Sequence, residues 1–309
     1  MSTAPPVRLR SPDGALEAEF LPGLGMVGSS LRHHGEELLG QRGGPEAYAQ
    51  RKSTFGIPLL YPWANRLSDW EYDQGRHVDL DRSSTVLKAD PDTGLPIHGA
   101  LAATPYWELG GVGSGGCEGV EATLDYAAHP ELMSVFPFAH RLGFRASVND
   151  EELTVRLDVT ATGQDRVPIS FGFHPYLTLP GARREDWELG LPVRRQAVLD
   201  DHGIPSGEHV ELRPGALSGV LGVRTFDDSF DELSGEPPVF SLADARRRIA
   251  LRYDEGYPFA QVYAPEGSSF IAFEPMTAAV NALRTGGGLR LLEPAQTFTA
   301  RFTISVSWR

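Results

Sequence analysis

Two histidines lie in sequence contexts that suit proton transfer. His98 follows Leu-Pro-Ile and precedes Gly99, whose lack of a side chain allows close backbone approach. His174 lies among aromatic residues in the segment Phe-Gly-Phe-His-Pro-Tyr, directly after a strand-like stretch. An imidazole titrates near neutral pH and can act as a general acid or a general base. Either histidine could instead be a hydrogen-bonded core residue, and the residues alone leave both interpretations open.

Two further motifs carry groups that can bind hydroxyls. Asn65 and Arg66 follow an apolar, proline-containing run, and arginine presents a planar fork of hydrogen-bond donors. Asp227 and Asp228 stand between phenylalanines, where paired carboxylates could bind sugar hydroxyls or simply form a turn. A surface arginine that closes a loop is the alternative interpretation for Arg66.

Two segments near the C-terminus contain further acids and amides. Glu274 lies at the end of an otherwise apolar strand-like run, where a carboxylate needs a partner. Glu293 and Gln296 lie in Leu-Glu-Pro-Ala-Gln, just before the last strand-like stretch. We include Glu274 and Gln296 among the predicted substrate-binding residues.

The elements that must position these groups are mostly strands. Apolar and polar residues alternate in residues 120–126, 153–159 and 302–308, and this period of two is typical of strands with one buried face. Further strands are predicted over 15–20, 144–148, 250–253, 260–263 and 270–273, and the best helical segment is the short stretch 44–51. Many short strands with few helices predict an all-β, antiparallel sandwich or barrel.

Composition limits the class of protein. The 34 glycines and 24 prolines are spread along all 309 residues without a boundary, which predicts a single domain over 1–309. With 41 acidic and 28 basic residues, the net charge of −13 argues against partners such as nucleic acid or an anionic membrane. The single cysteine, Cys117, excludes an internal disulfide and fits a cytoplasmic location. No apolar leader and no membrane-spanning run is visible.

The sequence predicts neither a metal nor an organic cofactor. It has no local metal-ligand spacing, no phosphate-binding glycine loop and no Gly-x-Ser-x-Gly motif. Metal ligands from distant strands stay possible, so a metal-dependent enzyme remains a third hypothesis.

In their order and spacing these motifs resemble the aldose 1-epimerase family. Asn65-Arg66, Ile97-His98-Gly99 and His174-Pro175-Tyr176 match the family's segments, and its loop aspartate falls on Asp227. The resemblance covers nearly the whole chain. It implies a large antiparallel β-sandwich of the galactose mutarotase type, with few short helices and a sugar cleft on one concave sheet.

The resemblance also implies a reaction, the interconversion of α and β anomers of an aldose by acid and base ring opening, without a cofactor. Arg66 and Asp227 would hold sugar hydroxyls, together with Asn65. His98 would help to hold the ring oxygen, and His174 would act as the acid.

The chain departs from the family at the expected base. The family's Pro-Gly-Glu is matched by Pro294-Ala295-Gln296, and a glutamine amide cannot accept a proton near pH 7. Another acid, such as Glu293, Glu274 or Asp227, could replace it, or Gln296 could hold a water that does so weakly. Alternatively, the protein is a carbohydrate-binding protein on the same fold that does not turn its sugar over quickly.

Overall fold

The computed structural model describes residues 4–113 and 118–309, and strands make up most of its regular structure. Cys117 lies outside the described residues. The α-helices there are α1 Gly44–Arg51, α2 Pro130–Met133 and α3 Ala282–Thr285. Short 3-10 helices cover Pro22–Leu24, Tyr126–Ala128 and Arg184–Asp186. The prediction of an all-β protein with few short helices is confirmed.

The strands follow one another along the whole described chain. In chain order they are β1 Val7–Arg10, β2 Leu16–Leu21, β3 Val27–His33, β4 Glu36–Glu37, β5 Leu59–Leu60, β6 Glu71–Asp73, β7 His77–Asp79, β8 Glu108–Gly113, β9 Glu118–Asp125, β10 His140–Asn149, β11 Glu152–Ala161, β12 Val167–Ile169, β13 Gly172–Phe173, β14 Tyr176–Leu177, β15 Glu188–Gly190, β16 Val193–Leu199, β17 Pro205–Glu211, β18 Gly219–Val220, β19 Phe226–Leu233, β20 Val239–Ala243, β21 Arg247–Glu255, β22 Phe259–Ala264, β23 Ile271–Met276, β24 Arg290–Leu292 and β25 Thr297–Trp308.

Two antiparallel sheets dominate the fold. The large sheet has nine strands in the order β18-β15-β20-β21-β25-β11-β10-β9-β8. The second sheet has eight strands, in the order β17-β16-β19-β22-β23-β13-β5 with β14 also paired to β23. A four-stranded sheet of β1 to β4 and the pairs β12-β24 and β6-β7 complete the described sheets.

The core lies between the large sheet and the second sheet. In β10 and β11 every second residue is buried, as the period-two pattern predicts. Rings from the two sheets meet in this layer: the Phe173 and Phe302 centroids are 5.2 Å apart, and those of Phe240 and Phe273 are 5.4 Å apart. This sheet-on-sheet contact is the sandwich expected from the sequence.

The predicted elements match the observed ones closely. The helix predicted over 44–51 is α1, and the predicted strands lie in or overlap β2, β9, β10, β11, β21, β22, β23 and β25. The differences fall at strand ends. Tyr126 begins a 3-10 helix after β9. Trp308, at the end of β25, is exposed and lies against His34 and Arg247 instead of entering the core.

A buried hydrogen bond ties the start of β10 to the segment after β5. His140 Nε2 lies 2.6 Å from the Tyr61 hydroxyl, and its Nδ1 lies 2.6 Å from the carbonyl oxygen of Phe138. Nδ1 therefore donates to the carbonyl, and Nε2 accepts from the phenol. Burial lowers the pKa of His140 to about 4, because a charged imidazole would lose its hydration.

This pair predicts a pH dependence of folding. Because the folded-state pKa of His140 is below the ordinary value of 6.5, the unfolded chain binds the extra proton between about pH 4 and 6.5. We expect the wild type to lose about 2 kcal/mol more unfolding free energy than His140→Gln between pH 6.5 and 4.5. Urea unfolding at the two pH values measures this difference. An equal loss in both proteins would contradict the assignment.

Candidate functional site

The register of the second sheet places His174 opposite Glu274. β13 and β14 both pair with β23, and the flanking register pairs are Gly172 with Met276 and Tyr176 with Ala272. His174 lies between these pairs, and its Nε2 is 3.1 Å from Glu274 Oε1. Both side chains are buried. Strand pairing thus holds an imidazole and a carboxyl within hydrogen-bond distance.

The next two strands extend the same polar face. Gln261 on β22 lies opposite Glu274, and its Nε2 donates to Asp227 Oδ1 on β19 at 2.7 Å. Ser229 donates from its hydroxyl to Gln261 Oε1, which fixes the amide's orientation. Asp228 is directed to the other side of β19, where it accepts from the Gln196 amide at 2.6 Å.

Loops after β5 bring two more predicted residues to this face. The backbone N–H of His98 donates to the Asn65 carbonyl at 2.9 Å, and both residues have positive φ angles. Gly99 has φ 67°, and a Cβ there would lie 2.2 Å from the Tyr61 carbonyl oxygen. Only glycine fits this close approach, so Gly99 determines where the His98 loop lies.

Arg66 is held by a buried carboxylate. Its Nε donates to Asp90 Oδ2, and its Nη1 donates to Asn65 Oδ1 at 3.2 Å. Burial acts to raise the pKa of Asp90, but hydrogen bonds from the Asp92 amide and from Arg66 outweigh it, and the pKa is lowered. The guanidinium is therefore fixed in one orientation at the cavity wall.

These groups surround one cavity of about 240 Å³. It is lined by Arg42, Thr54, Asn65, Arg66, Lys88, Asp90, Pro91, Asp92, Ile97, His98, His174, Tyr176, Asp227, Tyr263 and Glu274. The rings of His98 and His174 are 5.8 Å apart and perpendicular. Pockets for drug-sized ligands are about 300–1,000 Å³, so this cavity suits a smaller ligand.

Burial shifts the two facing titratable groups towards their uncharged forms. It lowers the pKa of His174 to about 3. It raises the pKa of Glu274 well above its usual value, and the charge of Asp227 adds to that rise. The pKa of His98 is well below its usual value, chiefly because of burial and next because of electrostatic repulsion from His174. Both shifts favour the uncharged form of the pair, in which His174 is neutral and Glu274 carries the proton.

Several buried polar atoms at the cavity have no hydrogen-bond partner within residues 4–113 and 118–309. They are His98 Nδ1, His174 Nδ1 and Glu274 Oε2. An unsatisfied buried polar atom costs about 1–3 kcal/mol, so native proteins keep few of them. A cluster of such atoms indicates a place where a polar ligand can bind.

The predicted residue Gln296 lies apart from this cavity. It is exposed in the turn between β24 and β25, where its N–H donates to Glu293 and its carbonyl accepts from Ala161. Neither Gln296 nor Glu293 is among the residues that line the cavity. The structure thus brings together Asn65, Arg66, His98, His174, Asp227 and Glu274, but it does not bring Gln296 to them.

Sequence reasoning missed several cavity residues. They are Arg42, Thr54, Lys88, Asp90 and Tyr263. Tyr263 had a usable signal, because in β22 it alternates with Val262 and shares the polar face of Gln261. The others lie outside the strands, where no alternation of apolar and polar residues predicts which way a side chain faces.

Other sites in the described chain are weaker candidates. A larger cleft of about 950 Å³ contains Tyr253, Tyr257 and acidic residues, but no histidine. Two side-chain groups outside the cavity could hold a metal ion: His33, His34 and Glu151, and Glu71, His77 and Asp79. None of the helices in residues 4–113 and 118–309 combines the length and apolar character that crossing a bilayer requires.

Solved structures of low sequence identity share this fold. A galactose mutarotase-like protein from Clostridium acetobutylicum has a TM-score of 0.83 at 17% identity, over 96% of this chain and 94% of that chain. A Synechocystis sp. PCC 6803 protein has a TM-score of 0.80 at 21% identity, over 100% and 97% of the two chains. Galactose 1-epimerase from Lactobacillus acidophilus NCFM has a TM-score of 0.76 at 17% identity, over 96% and 93%.

The sequence comparisons identify the family. None of the curated protein sequences matches this chain significantly. The family model for aldose 1-epimerase matches residues 27–305, which is most of the chain. The chain therefore belongs to the aldose 1-epimerase family.

Proposed function

We propose that this protein is a mutarotase that interconverts the α and β anomers of an aldose, with Glu274 as the base and His174 as the acid. The family acts on sugars, and the cavity suits a ligand of monosaccharide size. The observation that carries the proposal is the 3.1 Å contact between the two buried groups. Each group must come within hydrogen-bond reach of the oxygen it serves, and two groups this close together can serve the two neighbouring oxygens bonded to C1.

The reaction needs one proton acceptor and one proton donor. Glu274 takes the proton from the hydroxyl on C1, C1 becomes a carbonyl carbon, and the bond from C1 to the ring oxygen breaks. His174 gives a proton to that ring oxygen, so the open-chain aldehyde is neutral. Rotation about the C1–C2 bond and closure on the other face reverse both transfers. The number of protons on the pair is the same before and after the reaction.

The reactive tautomer carries the proton on His174 and the negative charge on Glu274. It has the same number of protons as the uncharged pair that burial favours, so no proton has to enter from water. Moving the proton across a 3.1 Å hydrogen bond creates both the acid and the base.

The surrounding groups orient the sugar. Arg66 and Asp227 are both fixed by hydrogen bonds and present a donor and an acceptor to ring hydroxyls. His98 stays uncharged because its pKa is low, and it can donate to or accept from the substrate. Such oriented groups reduce the entropy cost of reaching the reactive geometry.

Replacing the base tests the assignment directly. We expect Glu274→Gln to lower kcat by about 10²–10⁴-fold with a smaller change in KM, because the amide keeps the shape of the side chain but accepts no proton. Exchange NMR on α-glucose and α-galactose measures the rate above the uncatalysed background. Sugar binding without acceleration by the unmodified protein would instead favour a non-catalytic carbohydrate-binding protein.

A matched pair of variants tests the role of Asp227. Asp227→Asn and Asp228→Asn remove the same charge one residue apart, but only Asp227 lines the cavity. We expect Asp227→Asn to raise KM by about 10-fold, because a charge-assisted hydrogen bond to the sugar is weakened. Asp228→Asn serves as the control with near wild-type KM. Equal effects of the two variants would contradict this role for Asp227.

The position of Gln296 gives a third test. We expect Gln296→Glu to leave the mutarotation rate unchanged, because this side chain is exposed in a turn outside the cavity. The same NMR assay measures it. A large acceleration would identify position 296, and not Glu274, as the place of the base.

A further inference from the structure

One of the two lysines of the chain lines the cavity, and the other lies near it. The 309 residues contain only Lys52 and Lys88, while every other basic side chain is an arginine or a histidine. Lys88 lines the cavity, and Lys52 is near enough to repel its charge. The cavity wall thus carries a lysine beside two arginines in a protein whose net charge is −13.

The ammonium group of Lys88 is unpaired. Within the described parts of the chain, no carboxylate lies at ion-pair distance from it and no group accepts its hydrogen bonds. By contrast, Lys52 Nζ donates to the carbonyl of Thr85. Burial lowers the pKa of Lys88, and the charges of Arg42 and Lys52 add to the effect while Asp90 opposes it. A partly buried, unpaired cation is costly for an isolated protein to keep.

Arg42 provides a second cation of the same kind. Its guanidinium donates to the Tyr176 hydroxyl at 2.8 Å and to the Thr54 carbonyl at 3.1 Å, which are both neutral. No ion pair involves it among the residues described. It also lies over the rings of Tyr176 and Phe270, at 5.2 and 5.7 Å. These contacts fix the group while leaving its charge unneutralised.

The aspartates of the cavity do not neutralise these cations. Asp90 binds Arg66 and accepts from the backbone N–H of Asp92. Asp227, on β19, accepts a hydrogen bond from Gln261 and lies at the other end of the polar strand face. Asp92 is exposed and makes no ion pair in residues 4–113 or 118–309. Lys88 and Arg42 therefore remain available to an anion.

The two cations lie on the side of the proposed acid. The Tyr176 ring, which Arg42 contacts, stacks on His174 with centroids 4.1 Å apart. Lys88 is near enough to His98 and His174 to act on both electrostatically. If His174 protonates the ring oxygen, C5 is the next atom of the ring, and its substituent C6 extends towards the same side.

We propose that the cavity binds an aldose with an anionic group at C6, and that Lys88 and Arg42 hold this group. The shared chemistry is a phosphate ester or a carboxylate, and both suit an ammonium beside a guanidinium. The proposal rests on the proposed function for the orientation of the sugar. It adds a substrate class, because a neutral hexose would leave both cations without a counter-charge.

The test uses sugars that cannot open their ring: 1,5-anhydroglucitol, its 6-phosphate and its 6-carboxylate. Calorimetry gives Kd for each with the unmodified protein, with Lys88→Met and with Arg248→Met. Arg248→Met is the matched control, because it removes one positive charge from an exposed position of β21 on the large sheet. We expect an anionic analogue to bind about 10- to 100-fold more tightly than the neutral one. Lys88→Met should remove most of this preference, and Arg248→Met should retain it.

The outcomes separate this inference from the proposed function. A preference for the phosphate or for the carboxylate identifies the anion, and added NaCl should reduce either preference by screening. Equal Kd values for all three analogues, or equal losses in both variants, would overturn the inference. Because the analogues cannot mutarotate, tight anion binding without acceleration of any aldose would contradict only the proposed function.

Discussion

The pairing of β13 and β14 with β23 is the constraint on which the site depends. It sets His174 opposite Glu274 through backbone hydrogen bonds, so the separation of the two groups does not rely on flexible side chains. Side chains alternate along β23, so the two faces of the strand have different roles. Phe273 is directed into the sandwich core and Glu274 to the cavity. A slip of one residue would exchange them, and burial of the core face strongly opposes such a slip.

The same burial that stabilises the sheet also sets the electrostatics. A neutral imidazole and a neutral carboxyl are cheap to bury, whereas an isolated charge is expensive. Burial therefore shifts the pKa of His174 down and that of Glu274 up, without a dedicated charged neighbour as the main cause. Both shifts favour the uncharged pair, whose exchangeable proton the proposed reaction would use. Folding and the proposed proton transfer thus depend on the same physical effect, burial.

The sequence predicts strands better than it predicts the cavity wall. Period-two alternation located β11 and β25, because burial on one face leaves a direct mark on the sequence. The order of the motifs predicted His98 and His174 as site residues, and both line the cavity. The match of Pro294-Ala295-Gln296 to the family's base depended on a short motif outside the predicted strands and helices. No periodicity therefore indicated which way its side chains face. The structure places Gln296 in a turn, while the acid beside His174 lies within β23, where the sequence had shown a carboxyl among apolar residues.

Apart from Tyr263 on β22, the cavity residues that sequence reasoning missed lie outside the strands. Lys88 and Arg42 lie in loops, whose paths depend on contacts with other segments, such as the hydrogen bond from the Ile97 N–H to the Lys88 carbonyl. No local pattern encodes those paths, and a charged loop residue is by default solvent-exposed. This difference between strand residues and loop residues has a consequence for the proposed function. Groups suited to proton transfer are held by strand register, whereas the cations that would select a substrate are on connecting segments. Substitutions in those loops would therefore change the proposed sugar specificity and leave intact the strand register that holds His174 and Glu274 together.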